Sequence, residues 1–263
     1  MTYREKVFQW QCLADVGKRG ATVKYHAEIV KILLATWANP DQSAAGITES
    51  EVAAFVVRVA HYSASRFNAI VAAMKHVTPA AHILKRRAVR IKDRAMISQG
   101  EFTRLLAELD TRPQSHAGLL VRFLAFTGLR IKEARKLKWC DVHLDHILLP
   151  GNVAKSGKPR HIPFVAGITE ILQRLRAVSD GVFVLPQGEA KRSLQTACSL
   201  AGVRRLSHHD FRHLFATRCI ESGVDMPTVA RWLGHQDGGA LLCKVYFHLA
   251  DRHSREMALR VQI

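Results

Sequence analysis

Arg130, Lys155, His209, Arg212, His235 and Tyr246 follow one another through the second half of the chain, with no local relation between them. Two guanidiniums, two imidazoles, an ammonium and a phenol are what an enzyme needs to bind a phosphodiester, attack it and release an alkoxide without metal. Arginine grips nonbridging phosphate oxygens, and histidine moves a proton near neutral pH. The set calls for no cofactor.

The neighbours of these residues sharpen that reading. In Ser207-His208-His209-Asp210-Phe211-Arg212-His213, a helix starting near Ser207 places His209 and Arg212 three positions apart on one face. The alternative for His208-His209-Asp210 is a metal site, which needs further ligands, and no matching His or Asp motif occurs elsewhere in the sequence. Arg130 follows Thr127-Gly128-Leu129, a helix stop and sharp turn able to present a side chain into a cleft. Tyr246 has a plain alternative as a packing residue. The other tyrosines, Tyr3, Tyr25 and Tyr62, all precede a basic run at 84–94, so a catalytic unit starting near residue 97 has Tyr246 as its only phenol.

Elements able to position these groups are legible upstream and between them. Residues 1 to about 80 read as a bundle of about four short helices. Ile29, Val30, Leu33, Leu34 and Trp37 keep the helical period, as do Val52, Phe55, Val56 and Val59 after a Thr48-x-x-Glu51 capping box. Phe67, Ile70, Val71, Met74 and Val77 form another stripe. Residues 84–94 carry six cations and one acid, either as a solvated linker or as a connector lying on phosphates. Ser98-x-x-Glu101 then caps a helix bearing Leu105, Leu106 and Leu109, and residues 119–126 predict a buried helix stopped at Gly128. Residues 146–149, 160–164 and 182–185 read as strands, the first two joined through turn residues that include Lys155-Ser156-Gly157-Lys158. Helices resume at about 188, punctuated by Gly202, Gly223 and Gly234. The expectation is a mainly α fold with a small antiparallel β-sheet. It divides into a helical unit at 1–83, a basic linker at 84–96 and a catalytic unit with a C-terminal tail at 97–263.

Composition bounds the partners. The 263 residues are 48% hydrophobic, enough for a sizeable core, and 39 Lys and Arg against 22 Asp and Glu give a net charge of +17 and a pI near 10.2. Such a field favours a polyanion, with salt-dependent binding through counterion release, although a basic ribosomal factor would share the property. No run approaches the roughly 20 apolar residues of a membrane span, and the first residues hold no apolar signal core. The five cysteines are scattered, with no CxxC pair, which fits neither a disulfide framework nor a zinc knuckle and suits a reducing cytoplasm.

Thr127-Gly128-Leu129-Arg130-Ile131-x-Glu133, followed by Leu137, Trp139, Asp141 and Val142, closely resembles the first box of the tyrosine recombinases, or phage-type integrases. His209-Asp210-Phe211-Arg212-His213-x-Phe215-Ala216-Thr217 resembles the second box, and Leu233-Gly234-His235 followed by Tyr246 resembles its ending. The resemblance implies a division of labour. Arg130 and Arg212 clamp the scissile phosphate, His209 helps take the nucleophile's proton, and His235 hydrogen-bonds a phosphate oxygen. Tyr246 attacks phosphorus to give a 3′-phosphotyrosyl link, and Lys155, in preference to Lys158, protonates the leaving 5′-oxygen. It also implies that double-stranded DNA is the partner, that a homotetramer forms on paired sites from monomers or dimers off DNA, and that the helical unit is a core-DNA-binding domain clamping the duplex. The interval from His235 to Tyr246 is two residues longer than is common, Lys132 replaces a small residue and Cys140 a serine. The tail at 251–263 either packs on its own domain or, as the resemblance implies, docks on a neighbouring protomer. Type IB topoisomerase chemistry and a silent DNA-binding regulator are the competing expectations.

Overall fold

The computed structural model describes residues 1–89, 96–112, 116–179, 181–186 and 190–235. The chain divides into two compact units, Met1–Asp93 and Arg94–Ile263.

The first unit is built from α1 (Tyr3–Asp15), α2 (Gly20–Thr36), α3 (Glu49–Val59) and α4 (Ala64–Val77). Capping boxes start α1 at Thr2 with Glu5 and α3 at Thr48 with Glu51, while the Ser63 hydroxyl accepts the Arg66 N–H at the head of α4. Their apolar stripes meet in one core containing Ile29, Leu33, Val52, Phe55, Ile70 and Met74. Each such side chain contributes about 1.5–3 kcal/mol by leaving water. Tyr3 belongs to this core. Its ring stacks on Trp37 at 4.6 Å, and burial holds its phenol far above the ordinary value. The basic run is not wholly solvated. The Arg87 guanidinium donates to the Ala60 carbonyl (2.8 Å) and lies 3.7 Å over the Phe67 ring, and Asn68 hydrogen-bonds both the N–H and the carbonyl of Arg87. That cation is engaged by its own unit; residues 90–94 of the run lie outside the described residues.

The second unit is centred on α6 (Ala117–Thr127), which buries Leu120, Val121, Phe123 and Leu124 against α5 (Gln99–Asp110), α8 (Ile168–Val178) and α10 (His208–Glu221). Its apolar character on several faces is the mark of a central helix. Around it stand a short α7 (Ile131–Ala134), α9 (Lys191–Leu200) and α11 (Met226–Leu233). The strands β1 (His146–Leu149) and β2 (Arg160–Pro163) pair antiparallel, Ile147 opposite Ile162 and Leu149 opposite Arg160. Ile147, Leu149, Arg160 and Ile162 are all buried, so one face of the hairpin carries a cation into the core.

The structure departs from the sequence expectation in two places. Residues 182–185 do not form a third strand. Phe183 makes an isolated bridge with Lys138, the Trp139 N–H donates to Val182 and the Val184 N–H donates to Leu137, so the run clips the segment after α7 instead of extending the sheet. Helix α8 is an addition. Ile168, Ile171, Leu172 and Leu175 have helical spacing, but its start at Gly167 (φ +88°) has no side-chain cap to announce it.

Candidate active site

Arg212 lies on the second turn of α10 and is 3% exposed. Its Nη1 donates to the Gly128 carbonyl (2.8 Å) and its Nη2 to the Leu233 carbonyl (2.6 Å). Gly128 closes α6 and Leu233 ends α11, so the guanidinium sits where two helices present terminal carbonyls and the negative ends of their dipoles. Both helices stop on left-handed glycines, Gly128 at φ +63° and Gly234 at φ +68°. Gly128 is doubly required: a Cβ there would stand 2.6 Å from both Leu233 Cδ2 and Phe215 Cδ1.

Immediately past that turn, Arg130 caps α7 and its backbone N–H donates to Glu133 Oε2 (3.1 Å), while its Nη1 reaches Glu133 Oε1 (3.1 Å). Glu133 is 2% exposed and serves three segments. Besides Arg130 it accepts the Lys155 N–H on Oε1 (3.1 Å) and Arg160 Nη2 on Oε2 (2.8 Å). Burial alone would raise its carboxyl; the hydrogen bond and charge of Arg160, with the N–H groups of Lys155 and Arg130, overcome this and hold it at about 2. Lys155 is thereby pinned by its backbone in the connection from β1 to β2, with its residue surface exposed. That connection spans 150–159, closed by Val153 and Ala154 N–H groups on the Pro150 carbonyl, and is longer than a tight hairpin.

His209 follows Ser207 by two positions, and the helix begins as the sequence suggested, with Asp210 accepting from the Ser207 N–H and hydroxyl. Asp210 also pairs with Arg204 (2.8 Å), while the His209 ring meets His213 edge-on at 4.8 Å. Thus the neighbouring His209 and Asp210 turn to different partners. Desolvation of the ring, with the charges of His213, Arg212 and Arg130, pushes the His209 imidazole down to about 4, although the residue as a whole remains exposed. His235 follows Gly234, its N–H donating to the Ala230 carbonyl (2.9 Å).

Of the six residues singled out from sequence, Arg130, Lys155, His209, Arg212 and His235 therefore belong to one connected arrangement: Arg212 joins the turns preceding Arg130 and His235, Glu133 joins Arg130 to Lys155, and both arginines act on His209. Tyr246 and the tail lie outside the described residues. The sequence reading missed the junction itself, Glu133 with Arg160. The signal was present in Arg160-His161-Ile162, where strand alternation puts an arginine on the same face as a core isoleucine.

Arg130 and Arg212 thus lie within electrostatic reach of His209, and Glu133 ties the Lys155 loop to Arg130. The chain belongs to the phage integrase family, whose model matches residues 95–253, and so to the tyrosine recombinases. It is 28% identical over 176 residues to the tyrosine recombinase XerA of Pyrococcus furiosus, covering 62% of this chain and 60% of that protein. It is 29% identical over 176 residues to the tyrosine recombinase XerD of Neisseria meningitidis serogroup A, covering 59% of each. The chain thus matches about three-fifths of the length of these relatives. Its fold is that of lambda integrase in a dimer bound to a COC′ core site (TM-score 0.74, 18% identity, 90% of this chain and 96% of that one). It is equally that of the Tn1549 transposon integrase in complex with a circular intermediate DNA (TM-score 0.76, 15% identity, 99% and 100%). Lambda integrase has also been solved as a tetramer bound to a Holliday junction. Among the described residues no helix is long and apolar enough to cross a membrane.

Proposed function

We propose that this protein is a site-specific DNA recombinase that breaks and rejoins duplex DNA through a 3′-phosphotyrosyl intermediate. The observation that carries the reading is the single hydrogen-bonded network uniting Arg130, Lys155, Arg212 and the His235 turn. In the proposed reaction Arg130 and Arg212 neutralise the equatorial oxygens of the phosphorane. His209 accepts the Tyr246 proton, the phenolate oxygen bonds to phosphorus, and the 5′-oxygen leaves with a proton from Lys155 while His235 steadies a nonbridging oxygen. The phosphodiester is exchanged for a phosphotyrosine of similar energy, so attack by an incoming 5′-hydroxyl rejoins the strand without ATP. The helical unit at 1–83 and the basic residues that follow it bind the duplex, and four protomers assemble on paired sites in the cytoplasm. Family membership, the +17 charge and the DNA-bound integrases of the same fold support this assignment.

A nicked half-site that loses its short 3′ product after cleavage traps the covalent state. With EDTA present, the wild-type chain is expected to yield a denaturant-resistant protein–DNA adduct, and Tyr246→Phe none at unchanged DNA affinity. An adduct that survives in the variant, or none in wild type, refutes the assignment.

The pH profile checks the proton acceptor. An imidazole held at about 4 stays unprotonated, and hence able to accept a proton, well below the ordinary 6.5. The second-order cleavage rate, which reports the free protein, should stay level as pH drops through 6.5 and decline only nearer 4. His209→Gln should remove that decline. A wild-type acid limb centred at 6.5 contradicts the arrangement.

A further inference from the structure

Arg160 has no part in the reaction just described, yet it touches the supports of most of its participants. It opens β2, the strand leaving the loop that holds Lys155. Its side chain is 6% exposed. Nη2 and Nη1 meet the two oxygens of Glu133 at 2.8 and 3.4 Å, and Nε donates to the Trp232 carbonyl at 2.8 Å. A Cβ on Gly234 would lie 3.1 Å from Arg160 Cδ and Nη1, so the turn carrying His235 closes directly on this side chain. Only a planar fork meets all of these partners at once. One group spans a carboxylate while a third nitrogen points to a carbonyl on another helix, which an ammonium on a flexible stem does not reproduce. A buried pair of this kind is weak as a source of stability, since well-packed apolar residues often do as well. What apolar residues cannot do is tie a strand, a helix start and a helix end to one carboxylate.

We propose that Arg160 is a positioning residue for strand cleavage: by holding Glu133 it sets the Lys155 loop at its working distance from the Arg130 guanidinium, and by holding Trp232 it fixes the His235 turn to the same point. This role rests on Lys155 being the proton donor to the leaving oxygen, and it goes beyond that assignment by engaging a residue that never meets DNA.

The test uses the full chain and two half-sites, one ordinary and one with sulfur in place of the 5′-bridging oxygen. A thiolate departs without a proton, so this substrate bypasses the donor and nothing else. Arg160→Lys is expected to cleave the ordinary site about a hundredfold more slowly, the scale of a misplaced reacting group. Most of that loss should vanish on the sulfur-bridged site, as it should for Lys155→Ala, with DNA affinity and thermal midpoint near wild type. If the lysine variant is less stable, the ratio between the two substrates is read below its thermal midpoint, with wild type and Lys155→Ala measured at the same temperature. Equal slowing on both substrates, or wild-type speed on the ordinary one, overturns the role of Arg160 alone. Lys155→Ala that stays slow on the sulfur site removes the underlying donor assignment, and the role of Arg160 with it.

Discussion

Arg212→Lys is expected to reduce single-turnover cleavage by about a hundredfold to a thousandfold, the range for removing one preorganised transition-state donor. The variant keeps the charge and most of the volume but loses the rigid fork that spans the Gly128 and Leu233 carbonyls. An ammonium can satisfy one carbonyl while drifting from the other, so the cation no longer stands at a fixed place when charge develops on phosphate. Duplex affinity should fall far less, because binding is shared among many phosphates and only one is being cleaved. Arg212→Ala is the poorer probe, since it strips two buried carbonyls of their partner and confounds catalysis with folding. Band-shift titration beside quenched single-turnover cleavage separates the two effects. Cleavage by Arg212→Lys at wild-type speed contradicts a transition-state role.

The second large effect is on stability. Glu133→Gln leaves Arg160, 6% exposed, without its countercharge. Removing one partner of a buried pair costs about 3–5 kcal/mol. At about 2–4 °C per kcal/mol for a unit of this size, the thermal midpoint should fall by roughly 10 °C at pH 7. The sign with pH follows from the depressed carboxyl. Between about 2 and the ordinary 4.5 the unfolded chain binds a proton that the folded chain refuses. The contribution of Glu133 is therefore complete above 4.5 and drains away as pH falls through about 2. Midpoints of wild type and variant should converge on acidification, read by circular dichroism melts across that window. Equal midpoints at neutral pH overturn the account.

Much of this is legible in the sequence, for identifiable reasons. Helix starts at Thr48 and Ser98 are written locally, because a capping box needs only residues three apart. The close of α6 at Gly128 and the shared face of His209 and Arg212 are likewise short-range. What sequence does not supply is commitment between distant segments. Residues 182–185 have strand composition but pair with residues 137–139, a choice made by tertiary packing. Arg87 sits in a run that looks solvated, and only the fold shows its guanidinium caught by Ala60 and Phe67. Glu133 is visible in the first motif, but its partners lie 22 and 27 positions away. Its function as a junction is a property of three segments together.

The seat of Arg212 has a consequence for the newly made chain. The arginine emerges from the ribosome before residue 233, and its second anchor is supplied only when α11 has been synthesised and packed. Until then the nascent polypeptide already carries the charge but not its aim. The seat of Arg212 is thus completed late in synthesis, by a helix that follows it in the chain.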